Sequence, residues 1–192
     1  MKRNLVLALA VSLLATATLK GEPAVTNPTV VMKTSLGSVT IELYPAQAPE
    51  SVKNFLQYVN DKFYDGTVFH RVIPTFMIQG GGFTPDGKQK ATRASIKNES
   101  ANGLKNETGT LAMARTSEPN SATSQFFINV TNNGFLDKAA SQDGVGYCVF
   151  GKVTAGMDVV SKIKATPTSN QGGAFVNAPV TPVVIESVRV AP

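Results

Sequence analysis

The segment Ser38–Leu43 alternates strictly, with Val39, Ile41 and Leu43 apolar and Ser38, Thr40 and Glu42 polar. A two-residue period sends successive side chains to opposite faces of a strand, so this stretch is half-buried β structure with one apolar face. Short strand-like runs recur at Val30–Ser35, Thr67–Arg71, Phe76–Gln79, Thr110–Met113, Gln125–Asn129, Tyr147–Val153 and Val183–Val190. Loops rich in Gly, Asn, Asp and Ser separate them, and Leu36-Gly37 joins the first two. Only two segments carry the helical period. One opens at Pro49-Glu50-Ser51 and runs to about Asn60, with Val52, Phe55, Leu56 and Val59 as its apolar stripe. The other fits Ala155–Lys164, where Val159, Val160 and Ile163 are apolar. Many short strands and two helices predict a mainly β sandwich or barrel, and periodicity does not choose between them.

The N-terminus reads differently. Lys2 and Arg3 precede an uncharged run from Asn4 to Leu19, which contains the small-residue triplet Ala15-Thr16-Ala17. This pattern predicts a secretory signal peptide over 1–17, cleaved near Ala17. Its apolar core is shorter than the ~20 residues that span a bilayer, and no Cys near the cleavage region offers a lipid anchor. Residues 18–29 are expected to form a flexible lead-in, and 30–192 a single domain. Cleavage lowers the formal charge from 18 − 13 = +5 to 16 − 13 = +3. Lys and Arg are scattered rather than gathered into a stripe, so the mild basicity does not suggest nucleic acid. The single cysteine, Cys148, forms no internal disulfide and sits in the apolar run Gly146–Phe150, where a buried, inert thiol is expected.

Standard catalytic constellations fail on inventory. One His and one Cys make no His/Cys metal site, and neither H-E-x-x-H nor C-x-x-C occurs. His70 has no G-x-S-x-G partner, so a structural or substrate-adjacent role is expected. Gly82-Phe83-Thr84-Pro85-Asp86-Gly87-Lys88 satisfies G-x-x-x-x-G-K, but Gln89 stands where a phosphate loop needs Ser or Thr. No amphipathic helix follows it, so a surface turn is expected. Asn98, Asn106 and Asn129 begin glycosylation sequons, a short and often accidental pattern.

Three segments carry a family resemblance. Phe69-His70-Arg71-Val72-Ile73-Pro74-Thr75-Phe76-Met77-Ile78-Gln79-Gly80-Gly81-Gly82-Phe83-Thr84 closely resembles the signature of the cyclophilin family. Leu111-Ala112-Met113-Ala114-Arg115 and Ser124-Gln125-Phe126-Phe127-Ile128 resemble its second and third segments, in the same order. Ile96-Lys97-Asn98-Glu99, followed by Asn102-Gly103-Leu104, is similar to the bacterial periplasmic branch. The resemblance implies a closed eight-stranded antiparallel β-barrel capped by two α-helices, with the active site in a groove on its outer face. It also implies a peptidyl-prolyl cis-trans isomerase that needs no cofactor or metal.

Carried over residue by residue, it implies Arg71, Gln79 and Phe76 as catalytic. Met77, Gln125, Phe127 and Leu136 would bind substrate, with the backbone at Ala114 and Arg115 facing the peptide. Two positions depart from the family pattern. Phe135 stands where many members carry Trp, so cyclosporin binding is expected to be weak. Tyr147 aligns where many carry His, and is carried over as a substrate-binding residue. The expected partners are proline-containing peptides and folding exported proteins in the periplasm, with no nucleic acid, no membrane after signal cleavage, and a monomeric state. The competing reading is a chaperone module that holds Pro-containing segments without needing turnover.

Overall fold

The computed structural model describes residues 27–192. The expected signal peptide and most of the expected lead-in lie outside the described residues. The strands in chain order are β1 (Thr29–Thr34), β2 (Gly37–Leu43), β3 (Thr67–Ile73), β4 (Met77–Gly80) and β5 (Thr110–Met113). They continue with β6 (Phe126–Asn129), β7 (Val149–Ala155), β8 (Thr168–Ser169), β9 (Ala178–Pro179) and β10 (Val184–Val190). β8 and β9 pair only with each other. The other eight form a closed antiparallel barrel in the order β1-β10-β3-β4-β6-β5-β7-β2, with β2 returning to β1. Closure leaves no open edge in this sheet, which decides the question that periodicity left open.

The helices α1 (Pro49–Asn60) and α2 (Met157–Lys164) cap the barrel. α1 buries Val52, Phe55, Tyr58 and Val59, whereas Leu56 is only partly buried. Phe55 reaches an aromatic cluster in the barrel, with ring centroids 5.1 Å from Tyr64, 5.7 Å from Phe126 and 5.3 Å from Phe150. Such pairs add about 0.5–1.5 kcal/mol each beyond their buried area. The α1 N-cap, Ala48, offers no side-chain acceptor. Glu99 supplies it from a distant loop, accepting from the Ser51 amide at 2.8 Å, the Ser51 hydroxyl at 2.8 Å and the Glu50 amide at 3.0 Å. Its negative charge also suits the positive end of the helix dipole.

α2 starts at Met157 rather than Ala155. Gly156 sits at φ +88, outside right-handed helix geometry, and a Cβ there would lie 2.4 Å from the Ser38 carbonyl oxygen. Ala155 therefore completes β7 instead. The Gly82–Lys88 segment is a surface turn, closed by the Thr84 amide donating to the Lys88 carbonyl at 2.9 Å. Among the described residues, no helix is long and apolar enough to cross a membrane.

Candidate active site

The outer face of β3, β4, β6 and β5 carries the site, and strand register explains the placement. Arg71 is paired with Gln79, Gln79 with Phe127, and Phe127 with Ala112, so one row crosses four strands. The alternate residues Ile78, Ile128 and Leu111 point into the barrel core.

Arg71 reaches the outer face through a bulge. Phe69 and Val72 both lie in the core, an odd separation that a regular strand cannot satisfy. The register shift between Phe69 and Arg71 inserts His70 as the extra residue. Both His70 and Arg71 are thereby released from the interior. Arg71 then faces a groove enclosing a cavity of about 210 Å³.

A second apolar cluster, separate from the barrel core, forms the groove floor from Met77, Ala112, Phe127, Leu136 and Val149. Phe76, Tyr147 and Ala114 pack against it from the sides. Phe76 lies 5.9 Å beneath the Arg71 guanidinium. Gln79 and Gln125 complete the polar side: the Arg71 Nη1 donates to Gln79 Oε1 at 3.4 Å, and Gln79 Nε2 donates to Gln125 Oε1 at 3.0 Å. No carboxylate among the described residues forms an ion pair with Arg71. Its side chain lines the cavity.

A profile of the cyclophilin type peptidyl-prolyl cis-trans isomerase/CLD family matches residues 29–190. The chain belongs to the cyclophilin family. It is 60% identical to a peptidyl-prolyl cis-trans isomerase of Acinetobacter baylyi, over 87% of each chain. It is 50% identical to peptidyl-prolyl cis-trans isomerase A of Dickeya dadantii, over 99% of this chain and 98% of the relative. A crystal structure of a Cryptosporidium parvum cyclophilin, determined in the presence of the dipeptide Ala-Pro, superposes with a TM-score of 0.70 at 26% identity. That alignment covers 85% of this chain and 99% of the other.

Within this cyclophilin frame, nine of the eleven residues singled out from sequence line the groove cavity. The other two touch it indirectly. Gln125 is bonded to Gln79, and Phe135, 58% exposed, stacks on Phe76 with centroids 5.6 Å apart. Arg115 lines the groove, but its side chain is spoken for. It pairs with Asp143, donates to the Gly146 carbonyl at 3.1 Å, and stacks on the Tyr147 ring at 4.4 Å. The Arg115 guanidinium holds the Asp143 carboxyl well below the usual carboxylate range. Tyr147 is thereby fixed as a wall, edge-on to Phe127 at 5.8 Å. The Ala114 amide donates to the Gln125 carbonyl at 3.0 Å.

His70 lies away from the groove, 2% exposed, against Phe83 and Phe175. Its Nδ1 has no hydrogen-bond partner among the described residues, and burial pulls the imidazole down to about 4, aided by the nearby Arg71 charge. Cys148 is buried too, its thiol pushed up to about 11 by desolvation.

Two features escaped sequence reading. Gly82 lies where a Cβ would come within 2.6 Å of Gln125 Cγ, so its missing side chain is what admits Gln125 to its place. Asn106 and Asn129, read only as sequon positions, are buried and hydrogen-bonded behind the groove. Gly82 stood inside the family signature, but nothing in the local string says which side chain passes over it.

Proposed function

We propose that this chain catalyses rotation about X-Pro peptide bonds, with Arg71 donating a hydrogen bond to the prolyl nitrogen of the twisted amide. The carrying observation is a guanidinium with no carboxylate partner among the described residues, facing a pocket of about 210 Å³ walled by Phe76, Met77, Phe127 and Leu136. Amide resonance sets a barrier of ~18–20 kcal/mol to this rotation. At the transition state the nitrogen is pyramidal and its lone pair is localised, whereas in the planar ground state that pair is delocalised into the carbonyl. A fixed, always-charged donor binds that lone pair more strongly than the ground-state nitrogen, and this difference lowers the barrier. Phe76, Met77, Phe127 and Leu136 hold the ring while the preceding acyl group turns. Gln79 and Gln125 orient the guanidinium and the peptide backbone.

No bond is made or broken, and no proton is transferred. His70 is buried on another face, so the rate is expected to be nearly flat between about pH 6 and 9. The basic and apolar N-terminus supports action on exported proteins in the periplasm.

Exchange NMR on an Ala-Pro peptide tests the reaction and the residue together. Wild type should accelerate exchange, Arg71→Ala should lose most of the acceleration, and Arg71→Lys should recover little because an ammonium lacks the planar fork. An active Arg71→Ala variant, or a bell-shaped pH profile centred near neutrality, would overturn the mechanism. Arg71→Ala also separates turnover from holding: aggregation suppression that persists without catalysed exchange would favour the chaperone reading.

A further inference from the structure

Behind the apolar half of the groove runs a chain of buried side-chain amides that the isomerase reading leaves without a role. Asn106, Asn129 and Asn133 are each at most 2% exposed. Asn133 Nδ2 donates to the Phe76 carbonyl at 2.8 Å and to Asn129 Oδ1 at 2.7 Å. Asn129 Nδ2 passes the chain on to Asn106 Oδ1 at 3.2 Å and to the Thr110 hydroxyl at 2.9 Å. Asn106 Nδ2 ends it, donating to Asp137 Oδ1 at 3.0 Å and to the Tyr147 carbonyl at 3.3 Å.

The endpoints explain what the chain does. Asn133 and Asp137 flank the 3₁₀ turn Gly134–Leu136, which presents Phe135 and Leu136. The Asn133 carbonyl accepts from the Leu136 amide at 2.8 Å, while its side-chain amide holds the Phe76 backbone. One residue therefore ties the Phe76 side of the pocket to the turn that carries Phe135 and Leu136. Tyr147, a third wall, is tied at the far end. Buried amides of this kind are costly when unpaired, so a satisfied chain holds its endpoints at one spacing. On the polar side of the groove Arg71, Gln79 and Gln125 bond in series, and none is hydrogen-bonded to the amide chain, which meets that side only through Phe76 beneath Arg71.

From this division we infer that Asn133 is a positioning residue that sets the width of the proline pocket, and so governs peptide binding rather than the rotation step. The inference rests on the isomerase reading above. A wider pocket binds the ring less well in ground and transition states alike, so KM rises while kcat stays.

The test is exchange NMR with the Ala-Pro peptide across a concentration series, on wild type, Asn133→Ala, Asn133→Ser and Val160→Ala. Val160 is a buried α2 residue remote from the groove and controls for lost stability alone. Each variant is compared at a fixed interval below its own Tm. Both Asn133 variants should raise KM ~10-fold with kcat within about twofold, and Val160→Ala should leave KM unchanged. Unchanged KM in active Asn133 variants overturns the inference, as does an equal rise in Val160→Ala. Failure of both Asn133 variants to fold also overturns it, since such a residue holds the fold rather than the pocket. A wild-type chain without catalysed exchange overturns instead the isomerase reading.

Discussion

Lowering the pH should destabilise this protein through His70 before its carboxylates matter. The imidazole is displaced from 6.5 to about 4, chiefly because burial desolvates its charged form, with the nearby Arg71 charge adding to the shift. The unfolded chain therefore takes the proton first as pH falls. Stability from this group is complete above about pH 6.5, declines as pH falls to about 4, and is constant below that. A displacement of this size at 1.36 kcal/mol per pH unit is worth about 3 kcal/mol. That is a large part of the 5–15 kcal/mol typical of a domain. Asp65, Asp86, Asp143 and Asp158 are all depressed from 3.8, so their contributions are present above that value and are lost only at lower pH. The two windows are thus separated. Urea unfolding between pH 4 and 8 on wild type and His70→Gln checks the argument. Wild type should lose about 3 kcal/mol across this range, and the variant, which has no imidazole, should be nearly flat. The chain has one His, so its ring proton resonance reports the folded-state titration directly. An imidazole titrating near 6.5 in the folded protein, or an equal slope in His70→Gln, would refute the reasoning.

Three further outcomes follow from the geometry. Gly82→Ala places a Cβ within 2.6 Å of Gln125 and should displace it from Gln79, lowering kcat/KM ~10-fold while Tm moves by less than about 4 °C; unchanged activity would show that Gln125 is not needed in place. Glu99→Ala removes the acceptor from the α1 N-terminus and should cost about 1–2 kcal/mol in thermal unfolding monitored by circular dichroism, where an unaltered Tm would count against the capping role. Cys148 should resist iodoacetamide in the native protein at pH 8 and react on denaturation; fast native labelling, followed by mass spectrometry, would contradict its burial and raised thiol.

Much of the fold was legible because its signals are local. The alternation in Ser38–Leu43 places Val39, Ile41 and Leu43 in the core as expected. Pro49 and the spacing of Val52, Phe55 and Val59 mark α1 from its first residue to its last. Strand ends were less legible. Tyr147 and Cys148 read as strand, yet β7 begins at Val149. The Tyr147 amide donates to the Leu136 carbonyl and its carbonyl accepts from Asn106, so its backbone is spent on the groove wall rather than on the ladder.

The site divides in the same way. Arg71, Phe76, Met77, Gln79, Gln125 and Phe127 were nameable because they lie in contiguous strings whose order is diagnostic. The string alone does not aim them. A strict two-residue period would put Arg71 on the same face as Phe69, inside the barrel; the bulge at His70 turns it out to the groove. Nor does the string show that Glu99 caps a helix 48 residues away, or that Asn133 reaches Phe76 across 57 residues. Sequence by itself determined which residues alternate, where the first helix starts, and which side chains the family resemblance assigns to the site. The family resemblance named the barrel that periodicity left open, whereas only the tertiary structure decided how Arg71 is aimed outward and how the pocket walls are spaced. Those depend on strand register and on hydrogen bonds between distant segments, which no local window contains.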